Sequence, residues 1–445
     1  FVIGGYVRDR ILNRPCKDID IMTLGSGIAL AEEVAKQLGD GINVNVYKNF
    51  GTAQITFGDL IIEFVGARKE SYRSESRKPI VENGSLQDDQ NRRDFTINAM
   101  AISLNEANYC ELLDPFDGIK DMQEQIIRTP LAPDITYSDD PLRMMRAARF
   151  AAQLNFDLSD DSLKAMHEMA ERISIISAER VRDEFTKLLM SDNPRKGLSI
   201  LVATGLADLV LPEIPKLKLE IDEHHHHKDV YEHTLTVLDQ AIAHEDRLGG
   251  PNLVIRLAAL LHDIGKPKTR ELIPGGGVSF HHHEVVGSRM AKERLRALRF
   301  DNQTIHDVSQ LVFLHLRFHG YAGGEWTDSA VRRYVRDAEH LLEHLHVLTR
   351  ADCTTRNQRK AAALAATYDS LEERIARLQE EEELNSIRPD IDGNQIMEIL
   401  NIPASPLVGK AYNFLLELRL EHGPLGRERA EEELIKWWEV NGSKS

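Results

Sequence analysis

Apolar and polar residues alternate in short runs over the first 130 residues, then recur at three- and four-residue intervals beyond about Asp139. The alternating runs Ile19–Met22, Asn43–Tyr47, Thr52–Phe57 and Leu60–Val65 predict strands, with a helix over Ile28–Leu38 between the first two. The later spacing predicts helices over Met144–Leu154, Leu163–Arg172, Ala178–Met190 and Gly197–Leu206. Pro212 and Pro215 then break the pattern. Residues 220–355 read as helical and hold most of the histidines, and a strongly charged helix, Thr367–Leu384, precedes a polar tail. The pattern therefore predicts an α+β chain in four parts: 1–130, 131–215, 216–360 and 361–445.

Composition narrows the class. At 445 residues, 42% hydrophobic and 28% charged, the chain has ample material for more than one core. No run approaches the roughly 20 apolar residues of a membrane span. Phe1 opens inside an apolar stretch, which reads as a start short of the native N-terminus. The three cysteines form no CxxC pair and fit a reducing, cytoplasmic setting. A formal charge of −16 argues against a protein that coats nucleic acid, yet the arginines cluster, at Arg92-Arg93 and at Arg143, Arg146 and Arg149. The run His224–His227 lies mid-chain and is read as native.

The densest chemistry is at the start. Gly4-Gly5-Tyr6-Val7-Arg8-Asp9 is followed by Asp18-Ile19-Asp20. Residues two apart in a strand share a face, so Asp18 and Asp20 make a hard oxygen site suited to Mg2+. Gly4 and Gly5 lack the Cβ atoms that would hold a phosphate off the backbone. A glycine turn with an exposed aspartate pair is the plain alternative for either half alone. Glu63, in an apolar strand, is either a third carboxylate or an exposed edge acid. Arg92-Arg93-Asp94-Phe95-Thr96-Ile97-Asn98-Ala99 offers guanidinium forks to a triphosphate, with a surface arginine pair as the alternative. Asp140-Pro141 has the chemistry of a helix start. Arg143, Arg146 and Arg149 then form a stripe without intervening acids, favouring an anionic ligand over a solvated face.

In this order and spacing the three motifs resemble those of class II CCA-adding tRNA nucleotidyltransferases, the group that includes bacterial poly(A) polymerases. The resemblance covers about residues 1–215. It implies a polymerase-β-like nucleotidyltransferase head over 1–130, a helical neck and body for nucleotide selection and RNA binding over 131–215, and a helical tail over 361–445. It implies Mg2+ on Asp18 and Asp20, with Glu63 as third catalytic carboxylate. Gly4, Gly5, Arg8 and Arg93 would meet triphosphate or ribose, and Asp140 and Arg143 the base edge, supported by Arg146 and Arg149. An aspartate accepts from the exocyclic amine of C or A, where U and G present a carbonyl. CTP and ATP are thus the implied substrates and tRNA the implied partner. Asp139 departs from the family, which usually has Glu there.

His262-Asp263, with upstream His233 and downstream Asp352, resembles the metal-binding pattern of HD-superfamily phosphohydrolases, placed at 216–360. His283 and His315 fall where two-metal members carry extra ligands, and His227 and His319 are looser candidates. Imidazole mixed with carboxylate suits Mn2+, Fe2+, Ni2+ or Zn2+. Poly(A) addition is disfavoured because no Arg-Arg-Phe element lies between the aspartate pair and Glu63. The resemblance implies a flexible loop between the first two motifs that CC-adding members lack; the long polar segment Ala67–Asp89 reads as that loop and so favours full CCA addition over CC-only or A-only addition. A rival of another class is an HD phosphohydrolase with an RNA-binding N-terminal module. Oligomeric state stays open.

Overall fold

The computed structural model describes the chain except residues 40, 49–50, 74–75, 219–228, 273–277, 319–320, 322–325, 355–356, 383–387 and 443–445, and except the side chains of 68–83 and 381–382. His227 and His319, two of the looser ligand candidates, lie outside the described residues. Two units emerge, Phe1–Pro215 and Lys216–Ser445.

In the first unit, β1 (Val2–Ile3), β2 (Asp18–Thr23), β3 (Val44–Tyr47), β4 (Thr52–Phe57), β5 (Leu60–Gly66), β8 (Ala101–Ile102) and β9 (Leu112–Leu113) form one sheet. Its order is β3-β4-β5-β2-β1-β8-β9. β2 runs parallel to β5, and the other neighbours are antiparallel. Helix α1 (Gly5–Ile11) leaves β1, and α2 (Gly27–Leu38), capped by Ser26, covers one face of the sheet. Ala31 and Ala35 of α2 pack there on Ala53, Ile55 and Phe64. Alternation fixes the rest: with Ile21, Ile62 and Phe64 turned to α2, Asp18, Asp20 and Glu63 share the opposite face.

Between β5 and β8 the polar segment expected as a loop forms a hairpin, β6 (Arg68–Arg73) and β7 (Ser76–Asn83), followed by α3 (Leu86–Asn91). Its charged residues hide the period-two signal that marked the other strands. α4 (Gly118–Glu124) and α5 (Pro133–Asp139) lead into the helical part: α6 (Leu142–Leu154), α7 (Asp160–Met169), α8 (Ala178–Leu189), α9 (Pro194–Ala203) and α10 (Leu206–Val210). The run expected as one helix over Gly197–Leu206 is divided between α9 and α10, because Gly205 turns the chain at φ 77°.

The second unit is helical: α11 (Val230–Ala243), α12 (Leu253–Leu261), α13 (Lys266–Thr269), α14 (His283–Ala297) and α15 (Asn302–Leu314), then Asp328–Ala338, Leu342–Asp352 and Gln358–Glu382. The last begins nine residues before its expected start at Thr367, and its expected end, Leu384, is outside the described residues. The stretch that the pattern alone reads as a polar tail, and the resemblance as a helical one, holds three helices, Gly393–Leu400, Pro406–His422 and Arg427–Asn441, around Ile391, Ile396, Ala411, Leu415, Ala430 and Leu434. Abundant surface acids masked that apolar stripe. Among the described residues no helix is long and apolar enough to cross a membrane.

Candidate functional site

The register sets Asp20 directly beside Glu63 across β2 and β5, with Asp18 two residues away on the same face. The Asp20 carboxyl is raised above its ordinary value, first by burial, with Arg93 opposing and Asp18 and Asp89 adding to the rise. Acids held together against that cost are suited to a divalent cation. Gly4 closes the other side at φ 74°. A Cβ there would lie 3.0 Å from Arg93 Nη1 and 3.4 Å from Asp20 Oδ2, so only glycine lets the backbone come this close.

Arg92 and Arg93 are held by Asp89, a buried residue that the sequence reading passed over. Arg93 Nη2 donates to Asp89 Oδ2 at 3.0 Å, and Arg92 Nε to Oδ1 at 3.1 Å. Burial alone would raise the Asp89 carboxyl, but the two guanidinium groups hold it below its ordinary value. The signal was present: Asp89 sits three and four residues before the arginines it aims.

Asp94 anchors a buried network joining all three sequence motifs. Its Oδ1 accepts from Asn98 Nδ2 at 2.9 Å, and Asn98 Oδ1 accepts from Arg8 Nη1 at 2.7 Å. Its Oδ2 accepts from Arg146 Nε at 2.8 Å. Arg146 also faces Glu184 of α8 at 3.6 Å, and Glu184 pairs with Arg149 at 2.7 Å. Burial pushes the Asp94 carboxyl upward, yet Arg146 and Asn98 hold it at about 2. Phe150 lies at the centre, 4.9 Å from the Arg8 guanidinium and 4.1 Å from that of Arg149. Glu184 supplies the acid missing from the arginine stripe. It comes from another helix, so spacing within α6 carried no sign of it.

At the start of α6, Asp140 Oδ1 accepts from Leu142 N at 3.1 Å, in keeping with the expected helix start. Its Oδ2 meets Arg180 at 2.8 Å. Arg143 donates to the carbonyls of Arg92 and Thr136 at 2.6 and 3.2 Å, tying α6 to the arginine pair. A cavity of about 420 Å³ opens here, lined by the cations Arg92, Arg93, Arg143, Arg146, Arg180 and Lys187 and the acids Asp94, Asp140, Asp183 and Glu184. Six cations against four acids suit an anionic ligand, with Asp140 at its wall. Arg8 and Arg149 are not among the lining residues; their guanidinium groups are committed to the network behind it.

In the second unit all six expected ligands converge. His233 comes from α11, His262 and Asp263 from the end of α12, His283 from the start of α14, His315 from the end of α15 and Asp352 from the end of Leu342–Asp352. Ligand atoms of His233, His262 and Asp352 lie within 4.8 Å of one another, as do those of Asp263, His283 and His315. Nδ1 of His262, His283 and His315 each meets the carbonyl three residues earlier, at 2.8, 2.8 and 2.6 Å, and His233 Nδ1 meets Thr354 Oγ1 at 3.1 Å. Every Nε2 is thereby turned to the centre, as a metal site requires. Among the described residues Nε2 of His315 is buried without a hydrogen-bond partner, and Nε2 of His283 faces Asp263 Oδ1 at 3.3 Å. Burial, with His262 nearby, pushes His315 down to about 3 and keeps its imidazole neutral. Lone pairs and carboxylates facing inward fit divalent cations, with Lys266 Nζ 2.6 Å from Asp263. Gly265 is the packing key: a Cβ there would run into the backbone carbonyl of His283, separating α14 from the His-Asp turn.

Comparison with known proteins follows this division. Residues 1–128 match the family described as Poly A polymerase head domain, 155–217 the probable RNA and SrmB-binding site of polymerase A, and 230–357 the HD domain. An A-adding tRNA nucleotidyltransferase of Deinococcus radiodurans is 30% identical over 98% of this chain and 95% of its own. A CC-adding tRNA nucleotidyltransferase of Thermus thermophilus is 30% identical over 98% and 93%. A CCA-adding enzyme of Lactobacillus delbrueckii subsp. bulgaricus is 36% identical over 47% of this chain and half of its own length. Among solved structures, the Bacillus stearothermophilus CCA-adding enzyme in complex with CTP aligns with TM-score 0.67 at 22% identity, covering all of this chain and 94% of that one. That likeness concerns the fold. With two relatives matched along nearly their whole length and three families matched in chain order, this chain belongs to the tRNA nucleotidyltransferase family, with a polymerase A-type head and an HD domain.

Proposed function

We propose that the protein adds C, C and A to the 3′ end of tRNA from CTP and ATP, without a nucleic-acid template. The observation that carries this reading is Arg93, which stands beside Asp20 of the carboxylate face and also lines the cationic cavity whose wall holds Asp140 and Arg143. Arg92 and Arg93, aimed by Asp89, draw the triphosphate. Asp140 exchanges its contact with Arg180 for the exocyclic amine of C or A, and Arg143 donates to the rest of the base edge. A base with a carbonyl in place of the amine leaves that carboxylate facing an acceptor, which is costly in a closed site. Glu63 takes the proton as the 3′-oxygen bonds to the α-phosphorus and the bond to the β-phosphate bridging oxygen breaks, releasing pyrophosphate. Asp18 and Asp20 would hold Mg2+, which would supply charge neutralisation of the phosphates and activation of the attacking oxygen.

Addition of A alone or CC alone is the second reading, favoured because the two relatives matched over nearly their whole length carry those names. Transcripts ending before CCA, after C, and after CC, each offered labelled CTP or ATP, separate the three outcomes. The retained transferase carboxylates weigh against an HD phosphohydrolase with only an RNA-binding N-terminal part. We assign the HD centre two divalent cations, Mn2+, Ni2+, Fe2+ or Zn2+, on His233, His262 and Asp352 and on Asp263, His283 and His315, with phosphoester hydrolysis as its chemistry. The partition into head, neck and body, HD and tail at residues 130, 215 and 360 follows the same reading.

A further inference from the structure

The sheet face that bears Asp20 is roofed at one end and open at the other. Ile3, Met22 and Ala101 lie on this face and are buried, with Leu86 of α3 packed against them. Across β5 and β4 the cover extends over the neighbouring row, where Val65 packs on that cluster and Thr52 is buried, while Ile61, Thr56 and Asn45 of the same face are exposed. Register sets Asp20, Glu63, Gln54 and Asn45 in one row over four strands. At a strand spacing of about 4.8 Å, the row reaches roughly 14 Å from the catalytic carboxylates. Tyr47, two residues beyond Asn45 and 46% exposed, places its hydroxyl 3.5 Å from Gln54 Oε1. Ile61, paired with Asp18 and 37% exposed, stands on the same face beside the row.

On the nucleotidyl-transfer reading the nucleotide would lie on the other side of Asp20, where Gly4 and Arg93 adjoin it and Arg93 lines the cationic cavity. In-line displacement requires the attacking hydroxyl and the leaving pyrophosphate on opposite sides of the reacting phosphorus. The acceptor therefore approaches from Glu63 and the strands beyond it. We propose that Gln54, Asn45 and Tyr47, with Ile61, form the surface on which the last nucleotides of the acceptor RNA lie. The inference rests on the nucleotidyl-transfer reading above. Beyond Glu63 the polar residues Gln54, Asn45 and Tyr47 are uncharged, so they meet base edges and ribose hydroxyls rather than phosphates, while the Tyr47 ring and Ile61 supply the apolar face that a splayed nucleotide packs against.

The test is single-nucleotide incorporation into tRNA transcripts ending before CCA, with Tyr47→Ala, Tyr47→Phe, Gln54→Ala and Asn45→Ala. The alanine variants raise KM for the transcript about tenfold, as loss of one base contact implies. KM for CTP stays at the wild-type value, and Tyr47→Phe retains most of the affinity. A transcript with a photoreactive thiouridine at its 3′ end cross-links within Asn45–Tyr47 or Thr52–Ile61. Unchanged transcript KM in every variant, a shift confined to KM for CTP, or a cross-link elsewhere overturns the inference. Wild-type protein that extends no transcript overturns the transfer reading beneath it, a result distinct from extension that the variants leave unaltered.

Discussion

Asp18 is exposed and Asp20 half-buried, and on the proposed reading replacing either would remove a metal ligand from a site whose chemistry depends on charge. Asp18→Ala lowers the incorporation rate on the order of 1000-fold, equivalent to about 4 kcal/mol of transition-state stabilisation. The thermal unfolding midpoint stays unchanged, which separates loss of chemistry from loss of fold. Asp89 works at one remove, by fixing two guanidinium groups. Asp89→Asn raises KM for CTP and ATP and destabilises the head by about 2 kcal/mol, because buried donors lose a charged acceptor. Steady-state kinetics and chemical denaturation measure the two effects. The glycines, the aspartate pair and the arginines were legible in sequence because each type has a distinct chemical use. Asp89, Glu184 and Arg180 were not, since a helical acid or base resembles a solvated one until its partner from another element is known.

Between elements, the network Arg8–Asn98–Asp94–Arg146–Glu184–Arg149 holds α1, the segment after α3, α6 and α8 in one arrangement. Its pH response follows from Asp94, held at about 2 against an ordinary 3.8. The folded value is depressed, so the stabilisation is fully present above about pH 4 and is lost as pH falls through about 2. The shift corresponds to roughly 2 kcal/mol. Denaturation of wild type and Asp94→Asn from pH 7 to pH 2 measures it: the wild type loses this increment and the variant does not. In the HD centre, Gly265→Ala pushes α14 away from His262 and Asp263. Binding of Mn2+ or Ni2+ falls from two equivalents to one or none by titration calorimetry. At this scale β4 and β5 were readable because period-two alternation follows directly from burial on one face. The β6–β7 hairpin, the break at Gly205 and the terminal three-helix core were obscured, where charged residues or a single turn outweigh the pattern.

For the whole molecule, the two units carry separate candidate sites, a carboxylate-and-arginine site in Phe1–Pro215 and a histidine-rich group that could hold metal in Lys216–Ser445. The order of motifs pointed to both sites, and the six histidines and aspartates distant in sequence do converge in two ligand-capable groups. Spacing alone could not supply the orienting bonds that turn each Nε2 inward, because three depend on the turn geometry at a helix end that brings the carbonyl three residues earlier to Nδ1, and the fourth on the distant Thr354 hydroxyl. Chelation of Mg2+ halts transfer, and restoring Mg2+ returns it, whereas Asp18→Ala protein stays inactive. The central claim is selection of C and A by a protein surface. Its most direct measurement is incorporation by purified protein and Mg2+ into transcripts ending before CCA, after C and after CC, with all four nucleotides supplied singly. The account predicts C on the first two, A on the third, no U or G, and arrest after A. Incorporation of U or G at rates matching C or A, or long A tails, contradicts it.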